Sequence, residues 1–204
     1  ARRDTRIRVV HRAGNGGIAA ASQQALELAR GEYVALLDHD DSLPPWALYF
    51  VAESLRGAPH TDILYSDEDK LAPDGRRCDP HFKPDWNPDL LRAVNYFGHL
   101  LVLRRRLVDE AGGFRPGFDG SQDYDLILRC VARTEPSRIR HVPAILYHWR
   151  QSPGSTAQDV NAKRGAHPAG VAALRAHVSA TPGATVEDGP RPTTYRVRRP
   201  LPVP

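Results

Sequence analysis

The sequence predicts an α/β domain, and three observations point there. Its 204 residues suffice to bury one core. Apolar strand-like runs alternate with Ala- and Leu-rich helical stretches along the chain. One of those runs, Tyr33–Leu37, is apolar without interruption and stops at charged residues, the pattern of a parallel strand covered on both faces. Apolar residues at 41% and charged residues at 25% separate the chain from a disordered polymer.

In order along the chain, Arg6–Val10 alternates polar and apolar residues and reads as a strand, followed by a turn at Asn15, Gly16 and Gly17. A helix fits Ile18–Arg30, with Gly31 where a left-handed C-terminal cap belongs. The Tyr33–Leu37 strand ends at Asp38. Ser42 reads as the cap of a helix reaching about Leu55, because Pro44 and Pro45 are tolerated in a first turn. Ile63–Ser66 reads as a short strand. Pro73, Pro80, Pro84 and Pro88 then predict a loop-rich stretch over Asp67–Asn95. Gly98–Leu103 reads as a strand, Arg105–Ala111 as a short helix closed by Gly112 and Gly113, and Tyr124–Arg133 as an amphipathic helix. Ile139–Trp149 gives strand-like runs interrupted by Pro143, and a last helix lies within Asn161–Val178, with a break at Pro168. The tail from Thr181 is rich in Pro, Gly and Arg and reads as a linker.

Composition narrows the function classes. No stretch approaches the ~20 consecutive apolar residues of a membrane span, and the first segment lacks a secretory signal's apolar core, so the expectation is cytoplasmic. Cys78 and Cys130 are the only cysteines and form no CxxC, which argues against a disulfide framework or a zinc cluster. The formal charge of +4 is carried by basic residues scattered among acids, apart from runs at Arg104–Arg106 and Arg196–Arg199. No nucleic-acid partner is expected; anionic phosphates and a membrane surface fit equally, and a plain solvated basic face is the favoured reading.

Three constellations could carry chemistry. Asp38-His39-Asp40-Asp41 follows a strand, and ligands of open α/β sheets bind beyond strand carboxyl ends. Close carboxylates repel one another, a repulsion that Mg²⁺ or Mn²⁺ relieves; the alternative is a solvated acidic turn. Gly120-Ser121-Gln122-Asp123 enters a helix, where Asp123, taken alone, reads as a cap that complements the helix dipole. Tyr147-His148-Trp149-Arg150 ends a strand, so that His148 could ligate a metal and Arg150 pair with a phosphate, or His148 could be structural. Further candidates are Asp67, Glu68 and Asp69 at a strand end, which could line a pocket or form a solvated loop, and Trp86, Tyr96 and His99, whose aromatic faces could stack on a ligand or pack in the core. Gly16 and Gly17 could let helix amides approach a phosphate or simply form a turn.

Taken together, NGGIAAASQQALELARGEYVALLDHDD, YSDEDK, HFKPDWNPDLLRAVNYFGHLLVLRR, GGFRPGFDGSQDYDLILR and ILYHWR resemble glycosyltransferase family 2, the inverting group with the GT-A fold, over roughly Arg6–Arg150. The likeness is greatest to members that build bacterial cell-surface polysaccharides, rhamnosyltransferases among them. The resemblance implies a Rossmann-like mixed sheet with flanking helices, a nucleotide-diphosphate sugar as donor, a divalent metal (Mg²⁺ or Mn²⁺), and a glycan or lipid-linked acceptor. It makes Asp40 a metal ligand with His148, puts Asp38 near the donor ribose with Asp41, Gly17 and Arg150 at the donor, and makes Asp123 the catalytic base. Asp67, Asp69, Trp86 and His99 fall to the sugar pocket. Where the family often has an acid before the base, this chain has Gln122.

The expected division is a partial GT-A domain over 1–157, a C-terminal helix over 158–180 and a Pro/Arg-rich linker over 181–204. The family's opening strands, with their Pro-x-Tyr-Asn-like signature, are absent from the sequence, and Thr194–Pro204 resembles the linker before a second transferase domain. A fragment of a larger enzyme, working at the inner face of the membrane, is therefore expected. One rival is a haloacid dehalogenase-type phosphatase using Asp38 and Asp40, although such enzymes want Thr or Val where Asp41 stands. The other is a non-catalytic carbohydrate-binding module.

Overall fold

The structure, a computed structural model, describes residues 4–151 and 165–200. Its helices are α1 (Gly17–Leu28), α2 (Ala47–Gly57), α3 (Pro88–Ala93), α4 (Arg105–Glu110), α5 (Gln122–Val131) and α6 (Ala166–Val178). Its strands are β1 (Tyr33–Leu36), β2 (Ile63–Leu71), β3 (Arg77–His81), β4 (Leu101–Arg104), β5 (Ile139–Arg150), β6 (Thr185–Asp188) and β7 (Tyr195–Arg198). Among the described residues no helix is long and apolar enough to cross a membrane.

The main sheet is mixed and centred on β2. Its first half pairs antiparallel with β4, Leu64 opposite Val102, and its second half pairs antiparallel with β3, Glu68 opposite His81. Along its other edge β5 runs parallel to it from Ile63 to Leu71. β1 lies at the edge, antiparallel to β4. The two-residue period of the strands sorts side chains onto two faces. Ile63, Tyr65, Leu101 and Leu103 join α4, α5 and α6 in one core. Leu64, Leu100 and Val102 join Ala47 and Val51 of α2 and Leu146 and Tyr147 of β5 in the other. Each fully buried Leu, Ile or Val among them contributes about 1.5–3 kcal/mol.

Several expectations from sequence are corrected. Among the described residues β1 is an antiparallel edge strand paired only with β4, half-covered, with Leu37 exposed beyond it. Arg6–Val10 forms no ladder among the described residues, and Ile7, Val9 and Val10 are exposed. Gly31 does not cap α1, which ends two residues earlier at Ala29 in extended conformation. Ser42 bridges to His148 in place of capping α2.

The Asp67–Asn95 stretch holds the rest of β2, then β3 and α3. Pro80 is accommodated because β3 is an edge strand, where a missing N–H removes no ladder bond. Pro143 leaves β5 continuous, at a point where its register against β2 shifts. Pro168 lies in the first turn of α6, where no intrahelical N–H is lost, so the helix is unbroken; the expected start at 161–164 lies outside the described residues.

The tail expected as linker holds a hairpin: β6 pairs with β7, Val186 opposite Val197. Tyr195 and Val186 are buried, and the Tyr195 ring stacks on Tyr124 at 5.9 Å and on His167 at 5.2 Å.

Candidate active site

The acidic loop after β1 is held by the end of β5. Asp41 Oδ2 accepts the Tyr147 hydroxyl at 2.5 Å, and that hydroxyl accepts the Asp38 N–H at 3.1 Å. Asp41 Oδ1 accepts the Arg150 N–H at 2.7 Å, and Arg150 Nε donates to the Asp40 carbonyl at 2.7 Å. A two-way backbone bridge between Ser42 and His148, 3.2 and 2.9 Å, closes the attachment. Burial raises the Asp41 carboxyl above its ordinary range, against the hydrogen bonds from Tyr147 and Arg150.

His99 completes this corner. Its ring stacks on Tyr147 at 4.5 Å and meets Trp149 edge-on at 5.7 Å. Ligand atoms of Asp38, Asp41 and His99 all lie within 4.8 Å of one another. Two carboxylates and one imidazole at that spacing suit a divalent cation that keeps positions open for phosphate oxygens.

The backbone that carries His99 is itself fixed from below. Glu68 Oε2 accepts the His99 N–H at 2.7 Å, while the buried Lys83 ammonium donates to the carbonyls of Phe97 at 2.7 Å and His99 at 2.5 Å. Gly98, at φ +44°, passes so close to Glu68 that an added Cβ would sit 2.9 Å from its carboxylate.

Asp123 is the second residue of α5, whose cap position is Ser121. Its Oδ2 accepts the Asn95 amide at 3.0 Å. Burial raises its carboxyl, opposed by the charge of His99 and by the Tyr124 N–H. Gln122 turns back to accept the Gly120 N–H at 2.9 Å, so its side chain closes the loop. A cleft of about 640 Å³ joins the parts: Asp38, Glu68, Asn95, His99, Asp123 and Trp149 line it together with α1, β1 and Tyr195.

Not every candidate reaches that cleft. Asp67 and Asp69, expected at a strand end, lie inside β2 and are buried. Asp67 accepts the Lys83 N–H at 2.9 Å and pairs with His141 at 2.8 Å; Asp69 pairs with His148 and Arg77, each at 2.5 Å. His148 thus has its Nδ1 on Asp69 and does not join the group of Asp38, Asp41 and His99. Asp40 stands next to that group with its carboxylate 3.6 Å from His39 Nδ1.

At Gly17, where φ is +83°, an added Cβ would meet Asp119 at 2.5 Å, and Asp119 accepts the Ala19 N–H at 3.0 Å. A carboxylate already occupies the helix N-terminus expected to meet a phosphate. Trp86 packs on the core beside Phe97, and Tyr96 is buried there. Of the strand-end acids, Glu68 alone lines the cleft, because the alternation of β2 turns it away from Asp67 and Asp69. Lys83, Asn95 and Trp149 are not singled out as site residues by the sequence.

The Glycosyl transferase family 2 signature matches residues 1–112. The chain is 41% identical over 201 residues to the O-antigen biosynthesis protein RfbC of Myxococcus xanthus, an alignment that covers 98% of this chain and 16% of that protein. It is 48% identical over 203 residues to the uncharacterized protein y4gI of Sinorhizobium fredii, covering 98% of this chain and 22% of the relative. The chain therefore spans about a fifth of the length of these relatives. Among solved structures, Staphylococcus aureus TarS 1-349 superposes with a TM-score of 0.56 at 17% identity, covering 84% of this chain and 47% of TarS. The mixed sheet, its flanking helices and this likeness are those of the GT-A fold, and with the signature over its first half the chain belongs to glycosyl transferase family 2.

Proposed function

We propose that the chain carries the catalytic centre of an inverting, metal-dependent transferase. It moves a hexosyl or rhamnosyl unit from a nucleotide diphosphate to a hydroxyl of a glycan or lipid-linked acceptor, in cell-surface polysaccharide synthesis. The observation that carries the reading is the opening of Asp38, His99 and Asp123 onto one cleft, although they come from three separate segments. Relatives named for O-antigen, chondroitin and hyaluronan synthesis support a glycan acceptor, and TarS has been solved with UDP-GlcNAc, which supports a nucleotide-sugar donor. Work at the cytoplasmic face of the membrane, beside a second transferase domain, fits such assembly.

In this mechanism Asp123 takes the proton of the acceptor hydroxyl as its oxygen attacks the anomeric carbon. The attack comes from the face opposite the diphosphate, so configuration inverts. Burial, which raises the Asp123 carboxyl, makes it a better base than an exposed one. Asp38 and Asp41, with His99 adding a nitrogen, would hold the cation, and the neighbouring Asp40 is the further carboxylate we assign to it. When bound, a divalent ion there neutralises charge on the departing nucleoside diphosphate. Arg150 and Tyr147 keep the loop in place for it.

Asp123→Asn should lower turnover by roughly 10²- to 10⁴-fold with donor affinity unchanged; equal losses in both would return Asp123 to a helix-stabilising role. Calorimetric titration of Mn²⁺, then UDP- and dTDP-sugars, into the wild type and Asp40→Ala tests the cation site. Binding that is lost in the variant supports the acidic loop as ligand. A folded chain that takes up no metal would sink the metal-dependent reading.

A further inference from the structure

Asp123 takes its side-chain hydrogen bond from Asn95, which lies outside α5 on the segment leading to His99. The other end of the same amide is unusual: Asn95 Oδ1 is buried and has no hydrogen-bond partner among the described residues. Burying an amide oxygen unpaired works against folding, so stability does not account for Asn at this position. Turning the amide over does not help, because Oδ1 would then face the carboxylate and two acceptors would repel. The contact with Asp123 is what the amide provides in return.

We infer that Asn95 is a positioning residue for the base: its N–H holds Asp123 Oδ2, which leaves Oδ1 to meet the acceptor hydroxyl, and it ties the base to the backbone segment that presents His99. This rests on the role proposed above for Asp123. The other groups that face Asp123 are His99, Asp38, the Tyr124 N–H and phenol, and the Tyr195 phenol of β7.

The test is a ¹³C-carboxyl NMR titration of the full chain, with the Asp123 signal assigned by its absence in Asp123→Asn. Wild type is compared with Asn95→Ala and with the isosteric Asn95→Asp, which carries the test should the smaller side chain fail to fold. Loss of a hydrogen bond to the ionised form should raise the Asp123 midpoint by about one pH unit in Asn95→Ala, a tenfold change in the ionised-to-protonated ratio. In Asn95→Asp a second carboxylate should raise it further. Turnover should fall about tenfold with the donor KM unchanged, while in Asn95→Ala the thermal midpoint changes little, since removal of the unpaired buried oxygen offsets the lost hydrogen bond.

An unmoved midpoint in both variants overturns the role of Asn95 alone. A moved midpoint with unchanged turnover also overturns it if Asp123→Asn is inactive. A fully active Asp123→Asn overturns the base reading and this role with it. Should the wild-type chain transfer no sugar, that counts against the proposed function, and the midpoint still decides whether Asn95 sets the ionisation of Asp123.

Discussion

Replacing Glu68 by Gln should remove much of the acid sensitivity of the fold. Glu68 is buried at 7% exposure within β2, and burial by itself works to raise its pKa. The hydrogen bond with His81, the charges of Lys83 and His99, and the His99 N–H together outweigh burial and hold the carboxyl at about 2, against an ordinary 4.5. That gap corresponds to about 3 kcal/mol of stability at neutral pH. Because the folded value is depressed, the stability is fully present above pH 4.5 and is lost as pH falls through about 2. Urea unfolding followed by circular dichroism at steps between pH 6 and pH 2 measures it. The wild type should exceed Glu68→Gln by about 3 kcal/mol at pH 6 and converge with it near pH 2. Curves that stay parallel across the range would show that Glu68 is not ionised in this network and would refute the reasoning.

Two further outcomes follow from the packing. Tyr147→Phe keeps the stack on His99 but loses one hydrogen bond to a carboxylate and one from a backbone N–H. It should cost about 2 kcal/mol and lower the melting temperature by roughly 4–8 °C, with weaker Mn²⁺ binding; unchanged values for both would deny the hydroxyl its place in the loop. Tyr195→Ala removes the buried ring that joins the C-terminal hairpin to α5 and α6 and should destabilise by about 3–5 kcal/mol in the same unfolding assay. A loss under 1 kcal/mol would mean the hairpin is not part of the folding unit.

What was legible in the sequence was local. The acidic loop after an apolar run, and Asp123 entering a helix, are fixed by their neighbours in the chain, and both stand where the pattern put them. The polar half of β2 was not legible. Asp67, Glu68 and Asp69 read as pocket residues or a solvated loop, and their burial inside a strand stayed hidden because their partners, His141, His148, Arg77 and Lys83, lie on elements that only the folded sheet brings near. A buried carboxylate needs those partners, and no window of sequence contains them. The C-terminal hairpin was hidden by composition: its Pro and Arg content suggested a tether, while Val186 and Tyr195, each inward-facing on its strand, carry the contacts that matter. Asn95 left no signal, since an amide that orients a base looks like any loop Asn until the base is in place.

The pairing of β5 with β2 has a bearing on the acidic loop. Two Asp–His contacts, Asp67 with His141 and Asp69 with His148, rivet the strands across their parallel seam. The far end of β5 then grips the loop through Tyr147 and Arg150. A slip of one residue along that seam would swing Tyr147 to the opposite side of the sheet and release both grips at once. The sheet is thus the gauge that sets where the loop stands, and the spacing of its carboxylates from His99 is machined by strand register before any ligand arrives.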